Sequence, residues 1–257
     1  MRGERLNDGL SVAAVGQGEP LVTLPGLGTG ADLSVKVPST TAFFANILAA
    51  GYKRRVHVIN RPVTVPANTT LPDLAGWHAE ALRGRFNGPV DVMGTSGGGA
   101  TALQLAIDHP DVVRRLILCT IASRPGDHGR ERLLNLIRAE QRGRRDPWAA
   151  SGLVTRGPLR LLTFAAYAFG ARGKRAQGET SLVEAIQDWD VTDRLGEVSA
   201  PTLLIAGGRD EIIPAEFARA TAAGIAQAQL LMIERGDHVT TMFDRRVSPA
   251  IREFLNG

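Results

Sequence analysis

The chain has a single cysteine, Cys119, so no intrachain disulfide can form and the fold does not depend on an oxidising compartment. Within the strand-like run LILCTIA that residue reads as a small buried apolar side chain. No apolar run reaches the roughly 18 residues that a membrane helix needs. The N-terminal MRGERLNDGL also has no apolar core of the signal-peptide kind, and both absences point to the cytoplasm and away from stable membrane insertion. Cysteine and histidine nowhere cluster at metal-ligand spacing, so no metal is expected, and no nucleic-acid motif accompanies the basic residues. Nothing in the sequence bears on the oligomeric state.

With 257 residues, 44% of them apolar, the chain suffices for one large α/β domain. Short β-like runs alternate with helix-like ones, the pattern of a mostly parallel sheet covered by helices. LSVAAVG and PLVTLPG come first and suggest a hairpin around Gly16 to Glu19. Helix and strand patterns then alternate through TTAFFANILAAGY, RRVHVINRP, LPDLAGWHAEALRGRF, PVDVMGTS, GGGATALQLAIDHP and RRLILCTIAS. At Arg124 the alternation stops, and it resumes with APTLLIAGGRD, PAEFARATAAGI, AQLLMIERGDH and a last helix at VSPAIREFLNG. Residues 124–198 therefore read as a helical insertion into a core made of residues 1–123 and 199–257. The net charge is only +4, yet from Arg124 to Arg175 twelve Arg and Lys face four acids. That imbalance suits an anionic partner, such as an acyl thioester, an acidic acyl-carrier protein or an anionic lipid surface, as well as a plain solvated face. Inside the insertion, LLTFAAYAF is apolar on all sides and a candidate pocket wall, and Trp148 and Trp189 read as core.

Gly94-Thr95-Ser96-Gly97-Gly98 fits G-x-S-x-G between a strand and a helix, the setting in which a sharp turn lifts a serine hydroxyl clear of a sheet. Glycine at 94 and 98 removes Cβ atoms that would collide there. The helix opening at Gly97 aims free N–H groups at whatever sits on Ser96. A P-loop would need Lys followed by Ser or Thr, which Gly99-Ala100-Thr101 does not supply. A serine nucleophile requires a base and a group that orients the base. Of the five histidines, only His238 follows a strand in a turn, where α/β sheets place their chemistry. Asp210 also follows a strand directly, and the chain order Ser96, Asp210, His238 is that of α/β-hydrolases. Asp237 is a rival too close to His238 to reach the far ring nitrogen, and Glu211 is a second rival one position from Asp210.

On Pro25-Gly26-Leu27-Gly28, the elbow Gly94 to Gly98, HPDVVRRLIL, APTLLIAGGRDEIIP and GDHVTTMF, the chain resembles the α/β-hydrolase superfamily over nearly its whole length. It is most similar to the branch with one helical cap after the sixth strand. The resemblance implies that the N–H groups of Leu27 and Gly97 form an oxyanion hole, and that a small-molecule acyl substrate, neutral or anionic, is cleaved without a cofactor. Asn60-Arg61-Pro62 replaces the family's frequent D-x-R-G, and serine at 96 speaks against the branches with an aspartate nucleophile. Two other classes remain open. Gly26-x-Gly28-x-x-Ala31 also fits a dinucleotide fingerprint, with Arg61 placed to meet a 2′-phosphate although no acid lies between Leu33 and Pro72. The last alternative is a non-catalytic binding protein on the same fold, for which a complete Ser-Asp-His set has no use.

Overall fold

The computed structural model describes residues 1–27, 32–66, 68–144, 146–169 and 177–257. Its strands are β1 (Gly3–Arg5), β2 (Ser11–Val15), β3 (Pro20–Leu24), β4 (Arg55–Asn60), β5 (Val90–Thr95), β6 (Val113–Cys119), β7 (Thr202–Gly207) and β8 (Ala228–Ile233). They form one eight-stranded sheet in the order β1-β2-β4-β3-β5-β6-β7-β8. From β3 to β8 all strands run parallel, while β1 and β2 add an antiparallel margin.

The inner strands are apolar on both faces, as a sheet covered on both sides demands. Their side chains alternate between two cores. Val22, Val92, Leu116, Leu118 and Leu204 enter one, together with helices α2 (Leu71–Arg85), α3 (Gly97–Asp108) and α8 (Ala215–Gly224). Leu21, Met93, Ile117, Cys119, Leu203 and Ile205 enter the other, against α1 (Ser39–Tyr52) and α9 (Val247–Asn256). Cys119 is fully buried, and desolvation pushes its thiol up to about 12.

The hairpin expected around Gly16 to Glu19 does not form, because β4 lies between β2 and β3 and bonds to both. The turn wraps around the entry to β4. A Cβ on Gly16 would lie 2.5 Å from the Arg54 carbonyl oxygen and one on Gly18 2.7 Å from that of Lys53. With φ of 87° and 100°, both positions also favour glycine. The same two glycines that suggest a tight hairpin thus make room for a third strand.

Between β6 and β7 the described residues form α4 (Asp127–Gln141), α5 (Pro147–Val154), α6 (Leu159–Phe169) and α7 (Gln177–Gln187), with no strand. Trp189 is buried and donates from Nε1 to Gln104 Oε1 at 2.8 Å, tying this segment to α3. Trp148, expected in the core, is instead 53% exposed. No helix among the described residues is long and apolar enough to cross a membrane.

Candidate active site

The elbow after β5 is built by crowding. Ser96 has φ 50° and ψ −125°, a conformation costly for a residue with a side chain and held only by its surroundings. A Cβ on Gly94 would lie 2.6 Å from that of Ala102, and one on Gly98 would lie 2.2 Å from the Leu24 carbonyl oxygen. The Ser96 N–H donates to the Cys119 carbonyl at 2.9 Å, and the Ser96 carbonyl accepts from Gly99 at 2.7 Å as α3 begins. The glycines therefore let α3 press onto β3 and β5 while Ser96 stands at the turn.

Ser96, His238 and Asp210 meet at the carboxyl ends of β5, β8 and β7. The Ser96 hydroxyl lies 2.9 Å from His238 Nε2, and His238 Nδ1 lies 2.7 Å from Asp210 Oδ2. Asp210 Oδ1 accepts the N–H groups of Ile212 at 2.9 Å and Ile213 at 3.0 Å, so its carboxylate is anchored on one oxygen and offered on the other. With the Asp210 side chain 1% and that of His238 9% exposed, water competes little for these bonds. The arrangement suits a neutral imidazole whose Nδ1–H donates to Asp210 and whose Nε2 accepts from Ser96.

The two rival acids are engaged elsewhere. Glu211 pairs with Arg132 at 3.2 Å and with Arg156. Asp237 accepts from Thr155 Oγ and the Arg156 N–H, each at 2.9 Å, and from the Thr240 N–H at 2.8 Å. Burial pushes the Asp237 carboxyl up, but its donors outweigh that and hold it below the usual carboxylate range.

Leu27 and Gly97 line the same cavity as Ser96, which is closed on its other sides by Ile121, Leu133, Val183, Ile186 and Ile213. Its volume of about 40 Å³ holds only a few water molecules, and its wall is almost wholly apolar. The described residues of the LLTFAAYAF run do not line it; α4 and α7 do. Phe169 belongs to α6, but its side chain, like that of Tyr167, lies outside the description, as do Gly28, Ala31, Arg145, Arg172, Lys174 and Arg175 altogether. Of the described cations between β6 and β7, Arg130 alone reaches this cavity, and it is already bonded to the Gln187 carbonyl at 2.8 Å.

Arg61, weighed above as a 2′-phosphate ligand, is buried and donates to the carbonyls of Pro25 and Gly26 at 3.3 Å. It braces the loop that carries Leu27, a role that its sequence neighbours do not signal. The Ile212 and Ile213 amides also went unread, although an aspartate bonding backbone N–H groups two and three residues on is the common chemistry of such turns. Among the described residues, no group of three His, Cys, Asp or Glu is arranged to hold a metal.

A model of the alpha/beta hydrolase family matches residues 21–249. A poly(3-hydroxyalkanoate) depolymerase of Ectopseudomonas oleovorans is 30% identical over 193 residues, 72% of this chain and 67% of that protein. A protein assigned as carbamate hydrolase RutD in Enterobacter cloacae subsp. cloacae is 27% identical over 253 residues, 93% of this chain and 91% of its own. Among solved structures, the enol-lactonase from Burkholderia xenovorans LB400 superposes with a TM-score of 0.73 at 21% identity, covering 97% of this chain and 98% of that one.

Proposed function

Because the chain belongs to the alpha/beta hydrolase family, we propose that it is a cofactor-free serine hydrolase that cleaves an ester or related acyl compound through an acyl-enzyme on Ser96. The observation that carries this reading is the unbroken chain of short contacts from Ser96 through His238 to Asp210, opening on an apolar cavity. Relatives named for a polyester, a carbamate and an enol-lactone agree with acyl chemistry.

In this mechanism Ser96 Oγ attacks the acyl carbon while its proton passes to His238 Nε2, and Asp210 stabilises the imidazolium and fixes its ring. The N–H groups of Leu27 and Gly97 receive the oxyanion, a role in keeping with their place on the cavity wall. Collapse of the tetrahedral intermediate breaks the bond to the leaving group, which takes the proton back from Nε2. A water molecule then repeats the sequence on the acyl-enzyme, releases the acid and frees Ser96. Residues 124–198 act as a cap that closes the acyl pocket through α4 and α7, over a core of residues 1–123 and 199–257. The narrow apolar cavity favours a compact, uncharged acyl group.

The test is a panel of p-nitrophenyl esters and acyl thioesters with acyl chains from two to ten carbons. Short chains should turn over fastest. Ser96→Ala should abolish turnover and labelling by a fluorophosphonate, with an unchanged circular dichroism spectrum. A Ser96→Ala protein that still turns over any substrate of the panel would overturn the mechanism.

A further inference from the structure

We propose that the outer face formed by α5 and α6 docks on a lipid surface bearing anionic headgroups. Three large apolar side chains stand in solvent there, Trp148 at 53%, Leu161 at 62% and Leu162 at 68% exposure. The indole is held in place: the Arg160 guanidinium lies 3.7 Å over its ring, and Phe164 meets it edge-on with centroids 5.8 Å apart. Arg160 Nη2 also donates to the Trp148 carbonyl at 3.0 Å, so cation and indole form one rigid unit.

The sequence that carries this unit has charge nearly all of one sign. From residue 142 to residue 162 the sequence carries five arginines and one acid, Asp146. Asp146 caps α5, accepting from the Ala149 N–H at 2.8 Å, while Arg142 and Arg144 are exposed and Arg156 pairs with Glu211. Tryptophan and leucine flanked by arginine are the side chains of an interfacial helix. The apolar groups enter the boundary between headgroups and acyl chains, and the guanidinium groups stay among the phosphates. A second copy of the chain is a poor occupant, since joining two such faces would bring like charges together. A soluble acidic protein would satisfy the arginines, and the position of Trp148 distinguishes it from a bilayer.

The experiment uses the full chain with vesicles of phosphatidylcholine alone or with one-third phosphatidylglycerol, at about 0.05 M and about 0.5 M salt, where the Debye length falls severalfold. Cosedimentation is expected only with the anionic vesicles and chiefly at low salt, with a blue-shifted emission protected from aqueous acrylamide. Trp189 is buried and Trp77 half-buried, so Trp148→Phe should remove most of the change. Leu161→Asp with Leu162→Asp should lower the bound fraction at least about tenfold, and Arg142→Gln with Arg144→Gln should weaken binding at low salt. All five positions are exposed, and an unchanged circular dichroism spectrum reports that each variant is folded. No binding to anionic vesicles, equal binding to neutral ones, or binding that leaves Trp148 open to acrylamide and ignores the leucine substitutions would each overturn the proposal. None of these readouts depends on Ser96.

Discussion

Asp210 divides its two oxygens between different tasks, Oδ1 taking the Ile212 and Ile213 amides and Oδ2 facing His238. Asparagine at this position presents an N–H₂ either to the backbone donors or to the Nδ1–H, and in both cases a donor meets a donor. Asp210→Asn should therefore lower kcat by about 10³ to 10⁴ through a misoriented or wrongly protonated imidazole, with KM little changed. Glu211→Gln, beside it, should cost far less, because Glu211 serves Arg132 and Arg156. Steady-state kinetics on the two variants decide the matter, and the reverse ranking would reassign the acid. That Ser96, Asp210 and His238 come together was legible because each follows a strand in a glycine-bearing turn. Choosing between Asp210 and Glu211 was not legible: side chains one residue apart differ in direction, and only the fold supplies the isoleucine amides and the arginines that sort them.

The segment between β6 and β7 is fastened to both loops that carry Asp210 and His238. Gly126 N–H donates to the Ile212 carbonyl at 3.0 Å, and a Cβ on Gly129 would lie 2.5 Å from Ile212 Cα, so α4 rests directly on the acid loop. On the other loop Asp237 gathers Thr155, Arg156 and Thr240, and Val239 N–H reaches the Val154 carbonyl at 3.1 Å. Asp237→Ala would strand several buried donors, and the expected loss of stability is about 2 to 4 kcal/mol. Urea denaturation should register that loss, limited proteolysis should cut within 124–198 sooner, and kcat should fall less than in Asp210→Asn. Unchanged protease resistance would show that this fastening contributes little. The helices of this segment were readable as helices, but their faces were not. A segment apolar on all sides shows no preferred buried stripe, so the exposure of Leu161 and Leu162 in LLTFAAYAF was not readable. At the other end of the chain, the pattern of β2 and β3 carried no sign that β4 would separate them.

Across the molecule, two histidines are folded into places that suit only the neutral ring. His78 is buried in α2 and donates from Nδ1 to the Leu74 carbonyl at 2.7 Å. His57 is buried in β4, edge-on to Phe86, with Arg85 Nε 3.4 Å from its Nδ1. Desolvation holds both down to about 4; near His57 the charges of Arg85 and Arg55 add to it, and at His78 that of Arg61 acts against the Leu74 bond. In the unfolded chain both titrate near 6.5. Between these values the unfolded state binds protons that the folded state refuses, so stability rises with pH across the window. The contribution is fully present above about pH 6.5, shrinks as the pH falls toward 4, and levels off once the folded protein is protonated as well. Asp237, Asp111 and Asp244, with carboxyls held below 3.8, lose their contributions only at lower pH, which leaves the interval from about pH 6.5 to 4.5 mainly to the histidines. Urea unfolding at about pH 7, 6 and 5 should give a slope near pH 5 that corresponds to uptake of about two protons per molecule. His57→Gln and His78→Gln should each remove about half of that slope, whatever they do to stability at neutral pH. A wild-type stability that is flat from pH 7 to pH 5 would mean that these two rings are not held neutral by the fold.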